Sequence, residues 1–225
     1  MTIPEFAAPA LIAPTLEAWP RFDPPLALGV LASGSGSNFE AIAAAIAAGQ
    51  LQAEIRVLVY NNPEARVAAR AARWGVPAVL VNHRQFRQRQ DCDRAIVAIL
   101  NQYQVEWVVM AGWLRIVTAE LLEAFPHRVL NIHPSLLPSF PGLHALEQAL
   151  AAGVKITGCT VHLASLAVDS GPILMQAAVP VQPDDTPEQL HARVQVQEHR
   201  IFPAAIALAA HQAGRGLGAL TERSP

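Results

Sequence analysis

Pro134, Pro138 and Pro141 crowd the run Asn131-Ile-His-Pro-Ser-Leu-Leu-Pro-Ser-Phe-Pro-Gly-Leu-His144. Proline fixes φ and removes a backbone donor, so neither a helix nor a central strand can pass through this stretch. Just before it, Arg128-Val-Leu-Asn-Ile132 reads as a buried strand, and just after it Ala145–Ala152 reads as a short helix entered by a turn at Gly142. The chain must therefore end a strand near residue 133 and cross open ground before regular structure resumes. In an α/β sheet, ligands bind outside the carboxyl ends of the strands. Asn131 and His133, two apart on one strand, share a face. An amide and an imidazole offered to one ligand supply a carbonyl-polarising donor and a proton donor, a layout suited to acyl transfer.

The rest of the sequence supplies a sheet for that strand to join. Leu26–Ala32, Ile55–Tyr60, Ala78–Val81 and Glu106–Gly112 are short apolar runs of the kind buried on both faces of a parallel sheet. Helical patterns over Phe39–Ala48, Glu64–Trp74 and Arg84–Asn101 separate them. Gly158–Leu163 and Ile173–Val181 read as two further strands around a loop, Ala164–Pro172. Thr186-Pro187 opens a long helix, Glu188–Ala210. The first turn, Ser33-Gly-Ser-Gly-Ser-Asn38, aims several free amides and a helix dipole at one spot, which favours a phosphate; a merely tight turn accounts for it equally well. Ser37 with Glu40 predicts a capping box at the start of that helix. Asp169, ahead of Ser-Gly-Pro, is by its local sequence a turn former, and His162 reads as a structural histidine. The arginines of 84–94 read as a solvated helix face.

With 225 residues, 52% hydrophobic and 15% charged, the chain is expected to form one α/β domain over 26–210. A net charge of −2 gives no electrostatic case for nucleic acid, so any phosphate site must be local. Cys92 and Cys159 show no metal-ligand spacing and no disulfide framework, which points to a reduced, cytoplasmic setting and no metal. No apolar run approaches the roughly 18 residues of a membrane span. Residues 1–25 hold six prolines, with Arg21 as their first basic residue, and are expected to form an extension on the surface or disordered. Residues 211–225 are expected to be a flexible tail.

The run NIHPSLLPSFPGLH resembles the signature of the folate-dependent formyltransferases. Its Pro-Gly-Leu-His ending resembles the branch whose acceptor is the amine of 5-phosphoribosylglycinamide. The likeness extends over about 26–210 and implies a Rossmann-like formyltransferase fold, with a mostly parallel central sheet and helices on both faces. It implies transfer of a formyl group from the co-substrate 10-formyltetrahydrofolate, without a metal, as a step of purine biosynthesis. Asn131, His133 and Asp169 would then be catalytic, with Asp169 paired to His133. The substrate phosphate would sit on Gly36, Ser37 and Asn38, where Ser35 replaces an asparagine common in relatives. Glu198, in Gln197-Glu198-His199, would contact the substrate amine or ribose. Folate would lie against Leu114, Arg115, Ile116 and Val117, where Trp113-Leu114 departs from the usual Phe-Met, and against Arg89 and Asn131. Sister enzymes act on initiator methionyl-tRNA, usually with Arg-Gly in place of Pro-Gly-Leu-His and a further basic C-terminal domain, or on water, with an N-terminal regulatory domain that 25 residues are too few to form. A catalytically silent folate or nucleotide binder is the alternative of a different class. Monomer and homodimer both stay open.

Overall fold

The computed structural model describes residues 11–215; residues 1–10 of the expected extension and 216–225 of the expected tail lie outside the described residues. Its strands are β1 (Leu11–Ala13), β2 (Leu26–Ala32), β3 (Ala53–Tyr60), β4 (Ala78–Leu80), β5 (Trp107–Met110), β6 (Val129–His133), β7 (Ile156–Leu163) and β8 (Ile173–Pro180). Its helices are α1 (Ser37–Ala47), α2 (Val67–Arg73), α3 (Arg89–Gln102), α4 (Ala119–Ala124), α5 (Ala145–Ala151) and α6 (Pro187–Gln212). All the strands join one sheet in the order β1-β8-β7-β6-β5-β2-β3-β4.

That sheet is mixed, so the expectation of a mostly parallel one holds only in part. β4, β3, β2, β5 and β6 pair in parallel. From β6 outward to β7, β8 and β1 every pairing is antiparallel. For β7 and β8 the cause lies in the connection: a parallel pair needs a crossover of about a dozen residues or more, and the loop between them, 164–172, is too short to supply one. Helices cover both faces. Leu28, Val30 and Ala32 of β2 enter one core with Phe39 and Ile42 of α1 and Ile201, Phe202 and Ile206 of α6. Leu31, Val57 and Val59 enter the other with Cys92, Ile96 and Leu100 of α3 and Leu121 of α4. Gly29 lets β2 approach α3 closely, since a Cβ there would come within 2.5 Å of Leu100 Cδ2.

Two helix starts differ from their sequence signals. The polar stretch from residue 84 opens as a 3₁₀ turn at His83–Gln85, capped by the Asn82 side chain, and α3 proper begins at Arg89. At α1 the capping box of Ser37 and Glu40 does not form: Gly36 is the N-cap, at φ 78°, and no side chain caps the helix. The Ser37 hydroxyl instead accepts from Gln195 Nε2 at 3.0 Å, and Glu40 turns to Arg70, Arg73 and Trp74. These partners are distant in sequence, so a local pattern could not foresee them. At α6 the expected start is present, with Thr186 and Gln189 in a reciprocal capping box and Pro187 in the first turn.

Residues 11–25, expected to lie outside the domain, run against it. β1 pairs with β8 through Leu11↔Ala178 and Ala13↔Gln176. Ile12, Leu16 and Trp19 pack on the core, and Phe22 is 1% exposed within it. The Phe22 amide donates to Gln52 Oε1 at 3.0 Å. Proline density does not exclude this arrangement, because an edge strand tolerates proline where a central one does not. Phe22→Ala should therefore lower the unfolding free energy by about 3–5 kcal/mol, the cost of emptying a buried phenylalanine site. Leu11→Ala, at a side chain 76% exposed, should change it by less than about 0.5 kcal/mol. Urea unfolding checks both, and equal, negligible effects would show the arm to be loosely held.

Candidate functional site

The site is assembled where β6 ends. Asn131 and His133 stand on one face of that strand, and β7 pairs with it so that His162 lies opposite Asn131 and Thr160 opposite His133. His133 is buried, with Nδ1 3.2 Å from Asp169 Oδ2 and Nε2 2.8 Å from the Phe140 carbonyl. Both ring nitrogens thus face oxygens that can only accept. Asp169 reaches this position from the loop between β7 and β8 through a left-handed backbone, φ 51°. Its Oδ2 also accepts from the Gly142 amide at 2.8 Å. The segment bearing Phe140 and Gly142 is therefore held against the pair from above. It is held from below by Thr160, whose hydroxyl donates to the Ser135 carbonyl at 2.7 Å, and by Gln176, which donates to the Leu137 carbonyl at 3.0 Å.

His162 completes the group. Nδ1 lies 2.9 Å from the Leu163 carbonyl, which assigns the proton there and leaves Nε2 to accept from Asn131 Nδ2 at 3.1 Å. The second N–H of that amide reaches Asp169 Oδ1 at 3.4 Å. This longer, weaker contact is the one that an oxygen in the cavity could replace. The sequence reading of His162 as a satisfied structural histidine describes its Nδ1 but misses its grip on Asn131. Only the β6–β7 register brings the two together, and no local signal carries that register. Burial favours the neutral acid at Asp169, but the hydrogen bond from the Gly142 amide and the charge of His133 outweigh it and hold the carboxyl below its ordinary range.

One end of the cavity is the loop after β2. Gly36 takes its left-handed turn with α2 hard against it: a Cβ would meet Val67 Cγ2 at 2.4 Å. The first-turn amides of α1, which have no carbonyl one turn back to donate to, open on the cavity at Ser37 and Asn38. Asn38 Nδ2 donates to Glu198 Oε2 at 2.9 Å, and Asn38 Oδ1 has no partner among the described residues. Burial pushes the Glu198 carboxyl above its ordinary value. The other end is the stretch after β5, where Leu114 and Ile116 stand exposed and Val117 is buried. Arg115 Nη1 lies 2.7 Å from Cys92 Sγ. A tie joins the two ends: the Ser33 amide donates to the Gly112 carbonyl at 3.0 Å, and the Ser33 hydroxyl accepts from the Leu114 amide at 3.0 Å.

A single open cavity of about 1150 Å³ runs between these ends past His133. Gly36, Ser37, Asn38, Arg89, Leu114, Arg115, Ile116, Val117, Asn131, His133, Asp169 and Glu198, the site residues named from the sequence, all line it. Among the described residues no group of three or more His, Cys, Asp or Glu is placed to hold a metal ion. No described helix is long and apolar enough to cross a membrane.

Comparison with known proteins gives a consistent picture. The family described as formyl transferase matches residues 27–206. A human protein, trifunctional purine biosynthetic protein adenosine-3, is 41% identical over 183 residues, covering 81% of this chain and 18% of its own length. The chain thus spans under a fifth of that relative. The phosphoribosylglycinamide formyltransferase of Bacillus subtilis is 38% identical over 177 residues, covering 79% of this chain and 91% of its own. Among solved structures, glycinamide ribonucleotide transformylase 1 from Symbiobacterium toebii superposes with a TM-score of 0.82 at 45% identity, covering 84% of this chain and 89% of that one. Phosphoribosylglycinamide formyltransferase from Bacillus halodurans gives 0.80 at 40%, covering 83% and 96%.

The depressed Asp169 carboxyl has a consequence for stability. Its contribution is complete above the unfolded aspartate value of about 3.9 and is lost as pH falls through the lower folded value. Asp169→Asn should cost on the order of 1–3 kcal/mol at neutral pH, the range for charge-assisted hydrogen bonds. Urea unfolding from pH 7 downward should show that gap constant to about pH 5 and shrinking below about pH 4. A gap independent of pH would mean that the carboxylate charge is not what the site uses.

Proposed function

Since the chain belongs to the formyl transferase family, we propose that it transfers the formyl group of 10-formyltetrahydrofolate to the amine of 5-phosphoribosylglycinamide. Family membership makes it an enzyme of the formyltransferase type. The choice of acceptor and of residues is our reading, and the observation that carries it is the His133–Asp169 pair, 3.2 Å apart, midway along a cavity with a glycine loop at one end and an apolar wall at the other.

The folate co-substrate supplies the formyl carbon when bound, and the cavity's chemistry suits it. Leu114, Ile116 and Val117 offer apolar contact to a flat ring, while Arg89 and Arg115 at the same end suit carboxylates. At the other end, the first-turn amides of α1 suit a phosphate. Glu198, held by Asn38 Nδ2, also lines the cavity, where it can orient a ribose or an amine. In transfer, an attacking amine pushes negative charge onto the formyl oxygen. Asn131 answers that charge by turning its longer N–H bond from Asp169 to the oxygen, and His133 answers it as a cation steadied by Asp169. His133 then gives a proton to the leaving folate nitrogen, directly or through water, by giving up its bond to the Phe140 carbonyl, and the proton lost by the attacking amine restores it. His162 keeps the Asn131 amide aimed throughout. No step calls for a metal, and the two free cysteines suit a reduced cytoplasmic setting.

Turnover with 10-formyltetrahydrofolate and each of three acceptors, phosphoribosylglycinamide, water and initiator methionyl-tRNA, tests the acceptor. Product with the ribonucleotide alone supports the proposal; product with either of the others reassigns the enzyme to a sister activity, and none at all makes it a binder. Asp169→Asn should lower kcat by roughly 10²-fold or more at saturating substrates. His133→Ala combined with Asp169→Asn should be little worse than the worse single change, because residues acting as one unit are non-additive. Multiplicative losses would separate their roles. Ile116→Asp should weaken folate binding by about tenfold while sparing the ribonucleotide, since a charge placed on apolar contact surface costs at least 1 kcal/mol or so. Equal loss of both ligands would mean a damaged core.

A further inference from the structure

The loop after β2 is braced from outside by α2 at three successive residues. The Val67 amide donates to the Gly34 carbonyl at 3.2 Å. Arg70 Nε donates to the Ser35 carbonyl at 2.8 Å. The Val67 side chain fills the space beside Gly36. Both peptides are trans, and in a trans peptide the C=O and N–H point in opposite directions. Pinning the carbonyls of Gly34 and Ser35 toward α2 therefore turns the N–H groups of Ser35 and Gly36 the other way. Ser35 and Gly36 line the cavity, and no residue of α2 does, so those N–H groups face it.

Arg70 is itself held. Its Nη1 lies 2.6 Å from Glu40 Oε2, and Glu40 also accepts from Arg73 Nη2 and Trp74 Nε1, each at 2.9 Å. Glu40 thereby fixes the guanidinium in the orientation that reaches Ser35. Resting on the reading that a substrate phosphate sits on this loop, we propose that Arg70, held by Glu40, is a positioning residue for that phosphate. It aims the Gly36 amide into the cavity and does not touch the ligand. A loop with one wrongly turned peptide would present a carbonyl oxygen, not an N–H, to the anion.

Calorimetric titration of ribose 5-phosphate into wild type, Arg70→Met, Arg70→Lys and Arg73→Met tests this. Arg70→Met should weaken binding by about tenfold or more, the size of one lost charge-assisted hydrogen bond. Arg73→Met, which shares Glu40 but not the loop, should stay within about twofold of wild type. Arg70→Lys keeps the charge without the planar fork and should remain close to Arg70→Met. In turnover, KM for phosphoribosylglycinamide should rise while kcat and KM for the folate hold. Unchanged binding in Arg70→Met overturns the proposal. So does full recovery in Arg70→Lys, which would make the effect one of charge, or a parallel rise in KM for the folate, which would make it general loosening. Should Arg70→Met not fold, Glu40→Gln carries the same expectation at a few-fold. Wild type that binds ribose 5-phosphate but does not formylate phosphoribosylglycinamide defeats the proposed function and leaves this one standing; wild type that does not bind it overturns this one, and turnover alone then decides the proposed function.

Discussion

The Asp169 carboxylate is where the separate parts of the site meet. Its two oxygens draw on the Gly142 amide, His133 Nδ1 and the Asn131 amide, with His162 Nε2 3.6 Å away. These groups come from β6, from the proline-bound segment after it and from β7. A buried carboxylate is costly unless hydrogen-bonded, and here satisfying it requires the three segments to sit in one arrangement. The left-handed backbone at Asp169, Phe140 and His144 is the local expense of bringing them there.

The two halves of the sheet divide the work. The parallel half turns direction between β2 and β5: from β2 the order runs to β3 and β4 on one side and to β5 and β6 on the other. Such a switch point leaves a crevice outside the strand ends. The loop after β2 and the stretch after β5 form its walls, and Ser33 ties them together. The antiparallel half adds what a purely parallel sheet could not. β7 runs back beside β6, so His162 and Thr160 stand opposite Asn131 and His133. The helix and loop amides lie on one side of the cavity, and the paired side chains of β6 and β7 on the other.

Thr160 and Gln176 show how much of the site lies behind the cavity wall. Neither lines the cavity, yet together they hold the backbone of residues 135–137 on which the Phe140 carbonyl depends. Glu40 and Arg70 play a matching part at the opposite end. The segment bearing Phe140 and the loop after β2 are thus each fixed by side chains that line no part of the cavity, the arrangement needed for donors to be aimed before a ligand arrives.

By itself the sequence determined the α/β class, the strand ending near His133, the glycine loop leading into a helix, and twelve of the residues that line the cavity. These follow from short-range causes: apolar periodicity, proline geometry, glycine freedom and a fourteen-residue run whose likeness to a family is local. Tertiary structure alone decided the rest. The reversal of β7 beside β6 was set by the pairing itself, since the connection 134–155 is long enough to run either way. The capping box at Ser37 gave way to Gln195 and to two arginines from α2. The proline-rich arm found an open edge on β8. His162 became part of the site through a register between strands whose paired residues are some thirty positions apart. In each case the deciding partner is far away in sequence, and its free energy exists only once packing has brought the two segments together.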